Sequence, residues 1–187
     1  MGNLTYYEIT PDIGDVFKKH DKPQPPLISI HTRDARDTMK IIKSFYLKFP
    51  QFKWITFRDL RNLTLNKFAE DLSESFLSVW VDDISGFGTF PLESMKCGVP
   101  VIGKVPNLKP EWMTEENGIW SYEFNQLVDI LGNFVQKWLE DELPEELYTD
   151  MEKTVKKYTK ENFHNSVMST FKAINERKIH LNLLQIY

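Results

Sequence analysis

A doubly wound α/β domain, with a Rossmann-like parallel sheet and helices on both faces, is the fold class this sequence predicts. Three observations carry the prediction. Short β-branched apolar runs alternate with stretches whose apolar residues recur at helical spacing. Prolines and glycines punctuate the joins between them. At 187 residues the chain has the length of one ordinary domain with a continuous core.

The elements follow in order. LISIH from Leu27 comes after a break at Pro23, Pro25 and Pro26, and reads as the first buried strand. Met39, Ile42, Phe45, Tyr46 and Phe49 are spaced for a helix that Pro50 ends. FKWITF from Phe52 is the second strand, and a helix from Leu65 carries Phe68, Ala69 and Leu72 on one face. FLSVWV from Phe76 is the third strand. A glycine loop, a helix containing Glu93 and the strand VPVIG come next. Asn117 and Gly118 make a turn into a closing strand at Ile119 and Trp120. Three helices complete the order. The first bears Phe124, Leu127, Val128, Leu131, Val135 and Leu139, and the second starts at Pro144. The third runs from about Glu161 to Lys178, with Phe163, Val167, Phe171 and Ile174 on one apolar face. This order makes a parallel sheet, whose ligands bind outside the carboxyl ends of the strands.

Composition excludes several function classes. A net charge of -4 argues against nucleic-acid binding as the main activity. No apolar run reaches the length of a membrane span, and the N-terminus lacks the pattern of a signal peptide. One cysteine, Cys97, makes no internal disulfide and reads as a core residue, so the expected setting is the cytoplasm. The four histidines have no metal-ligand spacing, and no metal site is expected. The first strand ends HTR, without the acidic pair of a phosphoacceptor receiver domain. Neither a G-x-G-x-x-G after that strand nor a G-K-[ST] is present.

The chemistry concentrates in SGFGTFPLESMKCGVPVIG, from Ser85 to Gly103. Gly86 and Gly88 give the loop backbone freedom and allow close approach of a ligand. The helix that follows turns free N–H groups and a partial positive charge toward the loop. Glu93, one turn in, can reach back to accept hydrogen bonds from ligand hydroxyls. Phosphate at the loop and a diol at the carboxylate describe a nucleotide-sugar. A plain alternative for Glu93 is complementing the helix dipole. His31 ends a strand at the ligand edge, where a sugar contact and a structural role are both open. The tryptophans read as core, with Trp112 alone in a loop near the expected site.

This segment resembles the signature of the retaining group 1 glycosyltransferases of GT-B fold, a family 4-like group that reads E-G-F-G-x-x-x-L-E-A-M-A-x-G-x-P-V. The matching residues are Gly86, Phe87, Gly88, Leu92, Glu93, Met95, Gly98, Pro100 and Val101. The resemblance implies a C-terminal, donor-binding half. It assigns 1–26 to a hinge or linker, 27–178 to the nucleotide-sugar-binding domain and 179–187 to a C-terminal tail. It implies donor binding by Arg33, Lys40, Gly86, Phe87, Gly88, Thr89, Leu92 and Glu93, without a cofactor other than the nucleotide-sugar substrate. Arg33 stands where the family has its arginine, and Lys40 or Arg36 stands in for its lysine. Ser85 occupies the position of the family's first acid, so the catalytic residue is not assigned; Asp82 and Asp83 lie just upstream. The implied partner is an acceptor-binding N-terminal domain, without which this half is inactive. The alternative is a non-catalytic nucleotide-binding or interaction module that kept the half-fold.

Overall fold

The computed structural model describes residues 6–20 and 25–184, with side chains as far as Arg177; Pro23 lies outside them. Five strands, β1 (Leu27–Thr32), β2 (Thr56–Asp59), β3 (Leu77–Val81), β4 (Val101–Lys104) and β5 (Ile119–Ser121), form one sheet. Their order is β2-β1-β3-β4-β5 and every pairing is parallel. Helices α1 (Ala35–Lys48) and α4 (Leu127–Leu139) pack together over one face. Helices α2 (Leu65–Ser73), α3 (Thr89–Lys96) and α5 (Glu145–Val155) pack over the other, and α6 (Lys160–Leu184) follows. The doubly wound α/β class expected from sequence is the observed one. No helix of the described residues is long and apolar enough to cross a membrane.

Because helices cover both faces, β3 is buried at every position and β1 at all but one. The serines inside this apolar sheet are satisfied. Ser29 and Ser75 share a hydrogen bond of 2.6 Å, and Ser78 and Ser94 one of 2.7 Å that ties β3 to α3. Helix α3 stops in a Schellman motif: Gly98, at φ 72°, donates to Met95 and Val99 donates to Ser94. That left-handed turn feeds the chain directly into β4.

Three expectations need correction. In α1 the buried residues are Thr38, Ile41 and Phe45, while Met39 is exposed. Phe45 anchors the face, and Ile41 and Thr38 sit four and seven residues before it. Pro50 opens a short 3₁₀ turn, Pro50–Phe52, instead of leading into a strand. Phe52 stacks there with Phe45 and Phe49, so β2 starts only at Thr56 and Trp54 is 47% exposed in the turn between. Trp112 stands, as expected, in a loop beside the glycine loop; it is buried, with its indole N–H donating to the Phe87 carbonyl at 2.7 Å. On α6, Phe163 and Phe171 are exposed while Val167 and Ile174 are half-buried, so the apolar face expected there is only partly covered.

Segments read as linker and tail carry structure. Ile13 and Phe17 belong to the core, Ile13 N–H donates to the Tyr158 carbonyl at 3.1 Å, and Lys96 ties down Ile13 and Asp15. Helix α6 extends through residue 184.

Candidate functional site

The sheet order fixes where a ligand can enter. The chain leaves β1 toward β2 and returns on the other side as β3, so the switch point at which such sheets bind ligands lies between the carboxyl ends of β1 and β3. Arg33 follows β1, and its N–H donates to the Val81 carbonyl at 3.1 Å. Asp82, Asp83 and the glycine loop follow β3. The register that pairs Thr32 with Val81 therefore sets Arg33 beside Asp82.

Each cation at this edge is matched by a carboxylate. Arg33 grips Asp82 through two hydrogen bonds of 2.7 and 3.1 Å. Arg36 pairs with Asp34, Arg61 with Asp59, and Lys104 with Asp83. The Arg36 guanidinium bonded to Asp34 holds that carboxyl down at about 2. Asp82 also accepts from the Ile84 N–H at 3.2 Å and so shapes the start of the loop.

The loop then delivers α3. Gly88 is its N-cap at φ 70°, and no side chain caps the helix, so its first-turn N–H groups are left without a side-chain acceptor. Gly88 has a second reason to be glycine: a Cβ there would lie 2.8 Å from the Trp80 ring. Gly86 differs. Its φ is not positive and a Cβ would meet nothing within 4 Å, so the fold itself does not demand glycine there.

Glu93 lies one turn in from Thr89, with a side-chain hydrogen bond to it. Burial pushes its carboxyl up to about 7, against the opposite pull of the Thr89 hydroxyl. Leu92 is fully buried and Phe87 packs edge-on against Tyr158 at 5.7 Å, so both build the loop from beneath. Lys40 stands elsewhere, 4.3 Å over the Phe124 ring on the α1–α4 side. Ser85 donates its N–H to the Asp82 carbonyl at 3.5 Å.

His31 stacks on Phe90 at 5.0 Å and meets Phe68 edge-on. Burial lowers its pKa below the usual 6.5, although Asp59 and Asp82 pull the other way. Among the described residues its Nδ1 is the one buried side-chain nitrogen or oxygen without a hydrogen-bond partner. No group of three or more His, Cys, Asp or Glu among the described residues is arranged to hold a metal ion.

Sequence reasoning missed the grip of Asp82 on Arg33. The signal was present in the acidic pair closing WVDD, but only the parallel register brings it against HTR.

No family profile and no curated protein matches the chain. Solved structures do. The C-terminal domain of a group 1 family glycosyl transferase, LpcC from Francisella tularensis, superposes with TM-score 0.60 at 15% identity, over 78% of this chain and 97% of that one. The pneumococcal O-GlcNAc transferase GtfA, in complex with UDP and GlcNAc, matches with TM-score 0.57 at 14% identity, over 90% of this chain and 38% of its own. A mutant of S. aureus TarM, in complex with fondaparinux, alpha-GlcNAc-glycerol and UDP, matches with TM-score 0.62 at 14% identity, over 88% of this chain and 39% of its own. The chain thus spans about two fifths of the length of the two larger proteins. In fold, this chain is similar to the C-terminal, Rossmann-like half of the group 1 glycosyltransferases of GT-B architecture.

Proposed function

We propose that this chain is the donor-binding half of a retaining glycosyltransferase. It holds a nucleotide-sugar at the carboxyl ends of β1 and β3, and the sugar passes to an acceptor carried by a second, N-terminal domain. The observation that carries this reading is the junction of Arg33 with an uncapped helix N-terminus across the switch point of the sheet. Anions bind where free N–H groups and a helix dipole converge with a guanidinium. Two of the similar structures are complexes with UDP, which supports a nucleoside diphosphate as the ligand.

Roles follow from position. N–H groups of Gly86 to Thr89, together with Arg33, hold the diphosphate and stabilise the charge it gains as the glycosidic bond breaks. Glu93 accepts hydrogen bonds from the ribose hydroxyls. Lys40, held on the α4 side, adds positive potential rather than a contact. These fixed positive groups do here what a metal ion does in other transferases. On its own the chain is expected to bind donor without transferring the sugar. The single buried cysteine supports a reducing, cytoplasmic setting.

Amide NMR during addition of UDP, GDP and ADP tests the proposal. Saturable shifts centred on Arg33, Gly86, Thr89 and Glu93 with one of the three are expected. Shifts confined to other surfaces, or none, would contradict it.

A further inference from the structure

The sheet ends at β5, a strand of 3 residues that among the described residues pairs only with β4. Helix α4 covers one face of the sheet and α5 the other. Between these two helices and the start of β5 lies a groove of about 490 Å³. Ile119 of β5, Ile130 and Phe134 of α4, and Leu143 and Leu147 at the entry to α5 line it. Neither Arg33 nor any residue of the glycine loop does, so it is separate from the nucleotide edge.

The groove is a place where the core reaches the surface. Phe134 and Leu147 are core residues, while Ile119, Ile130 and Leu143 are half-buried and pack against that core. Its apolar floor is therefore fixed by the packing of two helices on the sheet. An end strand also turns a row of backbone N–H and C=O groups outward. The space alongside β5, with a helix on either side, is the place that one more strand would take, with apolar contacts on both of its faces.

The rim is acidic. Glu115 and Glu116 stand before β5 and Glu146 and Asp150 on α5, against one lysine of the lining, Lys137. Lys153 answers Asp150 at 2.7 Å, which still leaves carboxylates in excess. The connection from α4 to α5 extends the same sign with Glu140, Asp141 and Glu142. Glu145 and Glu146 lie in the first turn of α5, where they complement its dipole. That accounts for neither the pair before β5 nor the run after α4. Such a field repels phosphates and anionic membrane surfaces and draws a basic partner.

We propose that this groove takes an extended, basic segment of another protein, laid beside β5 with apolar side chains on the Phe134 and Leu147 floor and Lys or Arg at the Glu115, Glu116 and Glu146 rim. Strand addition of this kind draws affinity from the backbone and selectivity from the side chains. The proposal stands whether or not the chain binds a nucleotide.

Amide NMR of the chain with three acetylated and amidated peptides, KKLVLKK, EELVLEE and KKSGSKK, tests it. KKLVLKK should give saturable shifts at Ile119, Ile130, Lys137 and Leu147. It should bind at least about tenfold more tightly than the other two, each of which lacks either the basic or the apolar feature. Leu143→Ser, at a half-buried floor position, should weaken KKLVLKK by about 3- to 30-fold. Glu115→Lys, at an exposed rim position that keeps the test open if the first variant unfolds, should weaken it by about 3- to 10-fold. Absence of saturable binding, equal affinity for either control peptide, or shifts that miss Ile119 and Ile130 would overturn the proposal. So would unchanged affinity in both variants, or sedimentation showing that the groove is closed by a second copy of this chain in a dimer that Glu115→Lys or Leu143→Ser breaks.

Discussion

Arg33 donates from Nε and Nη2 to the two carboxylate oxygens of Asp82, so the guanidinium fork that would hold a phosphate is already occupied by the protein's own acid. The arginine side chain is 58% exposed and that of Asp82 16%, so the arginine is the partner able to swing. Such solvent-accessible pairs are weakly held. A diphosphate entering the proposed site would have to compete with that carboxylate for the arginine.

Replacing that competitor is therefore expected to tighten binding. Asp82→Asn keeps an oxygen for the Ile84 N–H and removes the charge. The affinity for a nucleoside diphosphate should rise by about 3- to 10-fold, with affinity for the nucleoside alone unchanged. Calorimetric titration of both ligands checks it. A weaker diphosphate complex would mean that Asp82 positions Arg33 instead of competing for it.

The environment of Glu93 predicts a pH dependence. Burial pushes its carboxyl up to about 7 in the folded chain, and the proposed ribose contact needs the ionised form. Nucleotide affinity should fall below pH 7 by up to about tenfold per pH unit and level off above it. Stability carries the opposite sign. A carboxyl raised from 4.5 to about 7 favours the folded state at low pH, and that contribution is lost as pH rises across this window. Glu93→Gln should flatten both dependences, measured by titration and by urea unfolding across the same range.

Gly86 and Gly88 should separate cleanly. Gly88→Ala forces a left-handed alanine against the Trp80 ring, and a loss of about 2–4 kcal/mol is expected in urea unfolding. Gly86→Ala enters open space and should leave stability within about 0.5 kcal/mol, while weakening nucleotide binding because the methyl group stands where the ligand approaches. A Gly86→Ala variant with full affinity would mean that the ligand does not approach the loop at that residue.

At His31, the unpartnered Nδ1 between two phenylalanine rings is a stability cost. His31→Phe should raise unfolding free energy at neutral pH by about 1 kcal/mol. The gain should widen as pH falls below 6.5. A histidine whose folded pKa is lowered loses stability there, because the unfolded chain takes up the proton first. Chemical unfolding at pH 7 and pH 5.5 reads both effects.

Much of this was legible in the sequence because the signature mostly encodes packing. Leu92 and Met95 are core residues, Gly88 makes room for Trp80, and Gly98 ends the helix in a left-handed turn. Fold and motif say the same thing at those positions. Gly86 is left over, since a side chain there would meet nothing, and it is at such a position that the motif and the fold part company. Long-range placement was not legible. The pairing of Arg33 with Asp82 depends on register between β1 and β3, and the groove beside β5 is built from separate segments with no shared pattern. Nor could periodicity alone tell that Phe163 and Phe171 would stay exposed on α6, since a stripe shows amphipathicity and not what covers it.

The most direct test of the central claim is calorimetric titration of the chain and of its Glu93→Ala variant with UDP, GDP, ADP and CMP. Saturable binding of one nucleotide is expected, weakened in the variant by about 30- to 1000-fold, the loss of two hydrogen bonds to a charged acceptor. No binding by any of the four, or equal affinity in a folded Glu93→Ala variant, would contradict the account.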